Sequence, residues 1–206
     1  MAIHSRNTLP TVLVLDAMGV IYEVGDDVAE LLIPFIRERG GIADTHQIEG
    51  VYKDASLGRI QARDFWRRVG VAHELEDDYL SRFRLSEGLH EFLAAASERF
   101  ARIICLSNDL SEWSRKLRRS FGLEPYFAGW YISGDIGVRK PDSRIYQYMI
   151  TDLNVDPSQV LFVDDRVKNL DAADELGIQT VYYDVGHMGG AKGHWTISQL
   201  SEIYAP

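Results

Sequence analysis

The sequence predicts an α/β protein, a doubly wound parallel sheet with a helical subdomain inserted after the first strand. Short, almost uniformly apolar runs alternate with amphipathic helical stretches over most of the chain, the pattern of successive βαβ units. Those runs lack the polar alternation of a half-exposed sheet and suit strands covered on both faces. Between residues 15 and 102 no second strand is convincing, yet helical pattern is abundant. A crossover helix needs only about a dozen residues, so the excess must form a helical unit of its own.

Residues 11–15 read as the first strand, 102–106 as the second, 129–133 as a weaker third, 160–163 as the fourth and 180–183 as the fifth. Helix ends are legible between them. Ser111 is placed to cap a helix that stops near Gly122, and Asp142 or Ser143 opens another. A stretch from about Lys168 ends at Gly177, a residue suited to a left-handed stop. Thr196 with Gln199 resembles a capping box for a last helix. In the insertion, Leu31, Leu32, Phe35 and Ile36 mark one helical stripe, with Pro34 expected to kink it. Ile48, Val51 and Tyr52 begin a second stripe, and Phe65, Trp66 and Val69 a third. The expected division is a core of residues 1–21 and 86–206 with a helical unit of 22–85.

Composition narrows the function classes. The 206 residues carry a net charge of −9, which argues against nucleic-acid or anionic-membrane partners, because both demand clustered Lys and Arg. The one basic cluster, Arg115-Lys116 with Arg118-Arg119, has the spacing of a solvated helix face. A single cysteine, Cys105, inside an apolar run is expected to be buried and inert. With no signal-peptide pattern and no apolar run of about 20 residues, the expected location is the cytoplasm.

Ligands of open α/β sheets bind beyond the carboxyl ends of the strands, so the residue just past each strand is informative. The first strand delivers Asp16, the second Ser107, Asn108 and Asp109, and the fourth Asp164-Asp165. The third runs on to Lys140-Pro141. Each signal alone fits an ordinary turn or cap. Together, three carboxylates and one ammonium leave a charge of about −2 in a small site, which is costly away from water. A hard divalent cation with oxygen ligands resolves it, and magnesium suits few protein ligands supplemented by water and phosphate.

These residues resemble the haloacid dehalogenase-like (HAD) hydrolase superfamily, whose Rossmann-like core carries a helical cap in its first subfamily. The resemblance lies in Leu15-Asp16-Ala17-Met18-Gly19-Val20, Leu106-Ser107-Asn108, Lys140-Pro141-Asp142 and Val163-Asp164-Asp165, in that order. The stretch 137–183 is also similar to the phosphatase domain of soluble epoxide hydrolases. The resemblance implies that Asp16 is a nucleophile forming an aspartyl-phosphate and that Ser107 and Asn108 hold phosphoryl oxygens. It implies that Lys140 neutralises the anionic centre. Magnesium would be held by Asp16, the backbone carbonyl of Met18, Asp165 and Asp164, and the substrate would be a small phosphorylated molecule.

One position departs from the family pattern. Phosphatases of this kind carry an aspartate two residues after the nucleophile as general acid and base, and here the residue is Met18, whose thioether cannot carry a proton. A positioned acid/base contributes about 10²–10⁴-fold. Three readings follow. One is a magnesium-dependent phosphohydrolase or phosphotransferase that uses an activated phosphate or borrows its acid/base, with His46, His73, His90 and Tyr22 as sources. The second is a metal-independent 2-haloacid dehalogenase, and the third is a binding or regulatory protein of low turnover. The first is favoured, because the second leaves Asp164-Asp165 without a purpose. Lys53, Arg59, Arg63, Arg67 and Arg68 read as a solvated face balanced by Asp54 and Asp64. The glycine-rich loop 186–193, with His187 and then His194, reads as an ordinary flexible connection.

Overall fold

The computed structural model describes residues 9–185, 191 and 193–204. Strands β1 (Val12–Leu15), β2 (Arg102–Ser107), β3 (Gly129–Ile132), β4 (Val160–Asp164), β5 (Gln179–Tyr183) and β6 (Trp195–Ile197) form one sheet. Their order is β3-β2-β1-β4-β5-β6, and every neighbouring pair is parallel. Successive side chains of a strand point to opposite faces. Leu13, Leu15, Ile103, Cys105, Leu161 and Val163 therefore share one apolar layer, while Val12, Val14, Ile104, Leu106 and Phe162 share the other. Both faces are covered, which is why β1 and the middles of β2 and β4 are apolar on both sides. Burial also pushes the Cys105 thiol up, away from reactivity.

Helices α1 (Ile33–Glu38), α2 (Thr45–Ala55), α3 (Ala62–Arg68) and α4 (Glu76–Leu80) fill the segment between β1 and β2, ahead of α5 (Leu89–Arg99). Helix α6 (Ser111–Ser120) follows β2, α7 (Ser133–Ile136) follows β3, α8 (Ser143–Leu153) precedes β4 and α9 (Val167–Asp174) follows it. The apolar stripes point inward as their periodicity predicts, and Leu32, Phe35, Ile48, Phe65 and Trp66 are all buried. No helix among the described residues is long and apolar enough to cross a membrane.

Several sequence expectations need correction. The helix that carries Pro34 changes its hydrogen-bond pattern just ahead of the proline. A π-helical turn over Val28–Leu32 runs directly into α1, with the Ile33 N–H bonded to Val28 O, and Pro34 sits in the first turn of α1, where a missing N–H is tolerated. Thr196 caps nothing, because it lies within β6. Glu202 instead accepts hydrogen bonds from Ser198 N and Gln199 N at 2.8 and 2.7 Å ahead of the short 3₁₀ turn Leu200–Tyr204. Ser111 is the first residue of α6 rather than its cap. The basic face of α6 is also more engaged than a solvated stripe. Lys116 pairs with Glu76 and Asp77 at 2.7 and 2.6 Å, and Arg118 lies over the Trp130 ring.

Glu76 joins the insertion to the sheet layer. It is buried, and its Oε2 accepts from the indole N–H of Trp66 (α3) at 2.8 Å and of Trp113 (α6) at 2.9 Å. Around it, Trp66, Tyr79 and Trp113 form one aromatic cluster, with Tyr79 4.9 Å from Trp113. Replacing Glu76 by alanine strands two buried donors, each worth roughly 1–3 kcal/mol. Glu76→Ala is thus expected to lower the unfolding free energy by about 2–5 kcal/mol. Urea denaturation followed by tryptophan fluorescence measures this, and an unchanged midpoint would contradict it.

Candidate active site

The parallel register sets Leu15 opposite both Cys105 of β2 and Val163 of β4. The chain therefore leaves β1 at Asp16 beside the ends of its two neighbours, and Asp16 N donates to Val163 O at 2.9 Å. Strand order reverses about β1, and such a switch point opens a crevice at the carboxyl edge.

Asp16, Asp164 and Asp165 converge there, each offering an oxygen within 4.8 Å of the others. Lys140 reaches the same point from the loop after α7. Its Nζ lies 2.7 Å from Asp16 Oδ1 and 2.8 Å from Asp164 Oδ2. Asp16, Asp164 and Lys140 are each no more than 5% exposed. Burial alone would pull the lysine pKa down, but the two carboxylates outweigh it and leave the ammonium more firmly protonated than usual. Asp16 is pushed well up by burial and then by Asp164, against Lys140. Burial, with Asp164 adding to it, raises Asp165 to about 6.

A second set of contacts fixes the first. The Asn108 amide donates to Lys140 O at 2.9 Å, and its Oδ1 accepts from Lys140 N at 2.8 Å. What Asn108 offers the crevice is thus its main chain rather than its side chain. Asn169 Nδ2 reaches both oxygens of Asp164 at 3.0 Å, and Arg166 N donates to Asp164 Oδ1 at 2.8 Å. Ser107 Oγ and Asp165 Oδ1 are buried without a hydrogen-bond partner. A buried polar atom left in this way points to an unfilled role.

The residues fit a divalent cation. They supply three converging carboxylate oxygens and one orphaned oxygen on Asp165, with an excess of negative charge that Lys140 alone does not cancel. Gly19 and Gly25 make room for the Asp165 carboxylate: a Cβ on Gly19 would stand 2.5 Å from Asp165 Oδ2, and one on Gly25 3.0 Å.

The crevice opens into a cavity of about 340 Å³. The sheet side contributes Asp16, Met18, Ser107, Asn108, Lys140 and Asn169, and the insertion contributes Asp26, Asp27, Val28, Glu49, Tyr52 and Lys53. Of the site residues expected from sequence, Asp16, Met18, Ser107, Asn108 and Lys140 line this cavity, and Asp164 and Asp165 lie in the carboxylate cluster beside it. The expected sources of a borrowed proton are not. His46 and His73 are surface groups paired with Glu49 and Glu76, His90 stacks near Tyr126, and Tyr22 is enclosed between Phe83 and Phe121. His194 is likewise committed, with its Nδ1 2.7 Å from Thr180 Oγ1 and its Nε2 3.0 Å from Asp171. His187 and most of the loop 186–193 lie outside the described residues. Arg59 and Arg67 pair with Asp54 and Asp64 as expected, whereas Lys53 lines the cavity.

Comparison with known proteins agrees with this geometry. The family model for haloacid dehalogenase-like hydrolases matches residues 10–177, so the chain belongs to that family. It is 27% identical over 192 residues to a D-ribitol-5-phosphate phosphatase of Bacteroides thetaiotaomicron, covering 82% of this chain and 89% of that one. To a phosphoserine phosphatase of Thermus thermophilus it is 29% identical over 106 residues, only 51% of this chain and 43% of the relative. Among solved structures, a HAD family enzyme of Bacteroides thetaiotaomicron in complex with magnesium and inorganic phosphate superimposes with a TM-score of 0.74. That match has 23% identity and covers 86% of this chain and 96% of that one, a likeness of fold.

Gly19 has φ +76°, a backbone conformation that disfavours a Cβ, and its neighbour Asp165 cannot yield without leaving the cluster. Gly19→Ala is expected to weaken magnesium binding by about 10–100-fold, as loss of a supporting contact does. Titration calorimetry measures it, and an affinity equal to the unmodified chain would contradict the placement of Asp165.

Proposed function

We propose that this chain is a magnesium-dependent phosphohydrolase or phosphotransferase acting through an aspartyl-phosphate on Asp16. The observation that carries the reading is the meeting of Asp16, Asp164 and Asp165 within 4.8 Å around the Lys140 ammonium. The likeness to a D-ribitol-5-phosphate phosphatase over most of both chains supports a small phosphorylated substrate.

In this reading Asp16, Asp164, Asp165 and the Met18 carbonyl would hold magnesium, which when bound would supply positive charge against the phosphoryl oxygens. The Asp16 carboxylate attacks phosphorus, and Lys140 steadies both the attacking group and the charge that spreads over the transferring phosphoryl. Ser107 Oγ, buried without a partner, donates to a phosphoryl oxygen, and the main chain at Asn108 takes another. The helical unit of residues 22–85 acts as a cap that supplies the far lining of the cavity and limits water. Met18 leaves the position of the usual acid/base without a proton carrier. Attack on carbon by Asp16, as in a dehalogenase, would need no cation, and the convergence of Asp164 and Asp165 speaks against it.

The test is hydrolysis of acetyl phosphate and p-nitrophenyl phosphate by the purified chain. Turnover should vanish with a chelator, return with magnesium and be abolished by Asp16→Asn, with no chelator-insensitive release of chloride from 2-chloropropionate. Phosphate release that survives the chelator, or that survives Asp16→Asn, would refute the reading.

A further inference from the structure

We propose that Asp27, on the insertion side of the cavity, is the proton carrier that Met18 cannot be. The inference rests on the phosphohydrolase reading of the same site and names a residue that the motif pattern does not contain.

Three observations place the carboxyl of Asp27 in that role. First, it lines the same cavity as Asp16 and Met18. In an in-line displacement the leaving group departs on the side away from the nucleophile. Asp16 belongs to the sheet edge, whereas Asp27 belongs to the insertion, which shares the lining with sheet-side residues such as Arg139, Lys140, Arg166 and Asn169. Second, Asp27 is only 5% exposed, yet its Oδ2 is buried without a hydrogen-bond partner. Such an atom costs stability unless something outside the fold uses it. Third, the side chain caps no helix and accepts only from its own backbone N–H. Asp27 precedes the π-helical turn but makes no side-chain cap, and it is the neighbouring Asp26 that accepts from Ala29 N at 3.1 Å.

The other carboxylates on the insertion side, Asp26 and Glu49, are exposed and already paired, Asp26 with Ala29 N and Glu49 with His46. Asp27 has only the groups packed about it. Burial, with Asp26 adding to it, raises its pKa to about 7 against the opposing pull of Arg166 and Arg139. Tyr52, Tyr79 and Asp109 also lie within its field. A carboxyl so poised exchanges a proton readily near neutral pH.

The steps balance. As the Asp16 carboxylate bonds to phosphorus, the bond from phosphorus to the leaving oxygen breaks, and that oxygen keeps the electron pair and takes the proton of Asp27. Asp27, now a carboxylate, then removes a proton from water as the water oxygen bonds to phosphorus. The bond from phosphorus to Asp16 breaks, inorganic phosphate leaves, and both side chains return to their starting states.

The experiment compares the full chain with its Asp27→Asn variant, in magnesium, on glycerol phosphate, phenyl phosphate, p-nitrophenyl phosphate and acetyl phosphate. Asp27→Asn should lower kcat/KM for glycerol phosphate by about 10²–10⁴-fold. Acetyl phosphate should lose less than about tenfold, since acetate departs without a proton. The unmodified chain needs the acid form of Asp27 in the first step, so its kcat/KM on glycerol phosphate should fall as pH rises through about 7, and the variant should lack that limb. A second readout is independent of turnover. A carboxyl whose pKa is raised by folding weakens the fold as pH climbs from its ordinary value toward 7, and the loss is complete above that. Asp27→Asn should therefore melt higher than the unmodified chain above pH 7 and match it in acid. Equal losses across the four substrates, or an alkaline limb that persists in the variant, would overturn the assignment while leaving the phosphohydrolase reading intact. An unmodified chain inert toward all four would overturn both.

Discussion

Lys140 holds its ammonium between Asp16 and Asp164 at 2.7 and 2.8 Å, with all three side chains buried, and the carboxyl edge of the sheet is arranged about that contact. The contact is costly to assemble, because each charge must leave water, and costly to break, because losing one partner leaves the others uncompensated. That asymmetry explains the surrounding hydrogen bonds. Asn108 grips the Lys140 backbone from both sides of the peptide, and Asn169 grips both oxygens of Asp164. Each fixes a charged group through a neutral amide and adds no charge to a site that already has an excess.

The sheet supplies the other half of the constraint. Asp16, Ser107 and Asp164 are brought together because β1, β2 and β4 are adjacent and in register, although the residues are far apart in the chain. A slip of one residue in β1 would turn Asp16 to the opposite face and set an apolar neighbour in its place. The apolar layers on both faces of β1 therefore protect the chemistry as well as the fold.

Much of this was legible in the amino-acid sequence. Five strands are continuous apolar runs, and the residues that meet at the sheet edge follow directly behind them, so pattern and position both pointed to Asp16, Ser107 and Asp164. Strand β6 was not legible, because a strand of three residues, Trp195–Ile197, has no period to read and Thr196 imitates a cap. Nor was Asp27. Two adjacent aspartates ahead of a helical stripe look alike in one dimension, and only packing leaves Asp26 in water and takes Asp27 out of it. Lys53 could by its charge meet an anionic substrate yet reads in sequence as part of a solvated face, because the pattern of charges on α2 says which face is polar but not that this face borders a cavity.

The Glu76 junction bears on how molecules come and go. A lid that swings needs a seam along which little is buried, whereas here indoles from both sides of the seam share one carboxylate within a continuous aromatic cluster. Rotating the insertion away as a rigid body would tear that cluster open and strip Glu76 of an indole partner. With the seam fastened in this way, the route to the crevice is the mouth of the cavity rather than the seam.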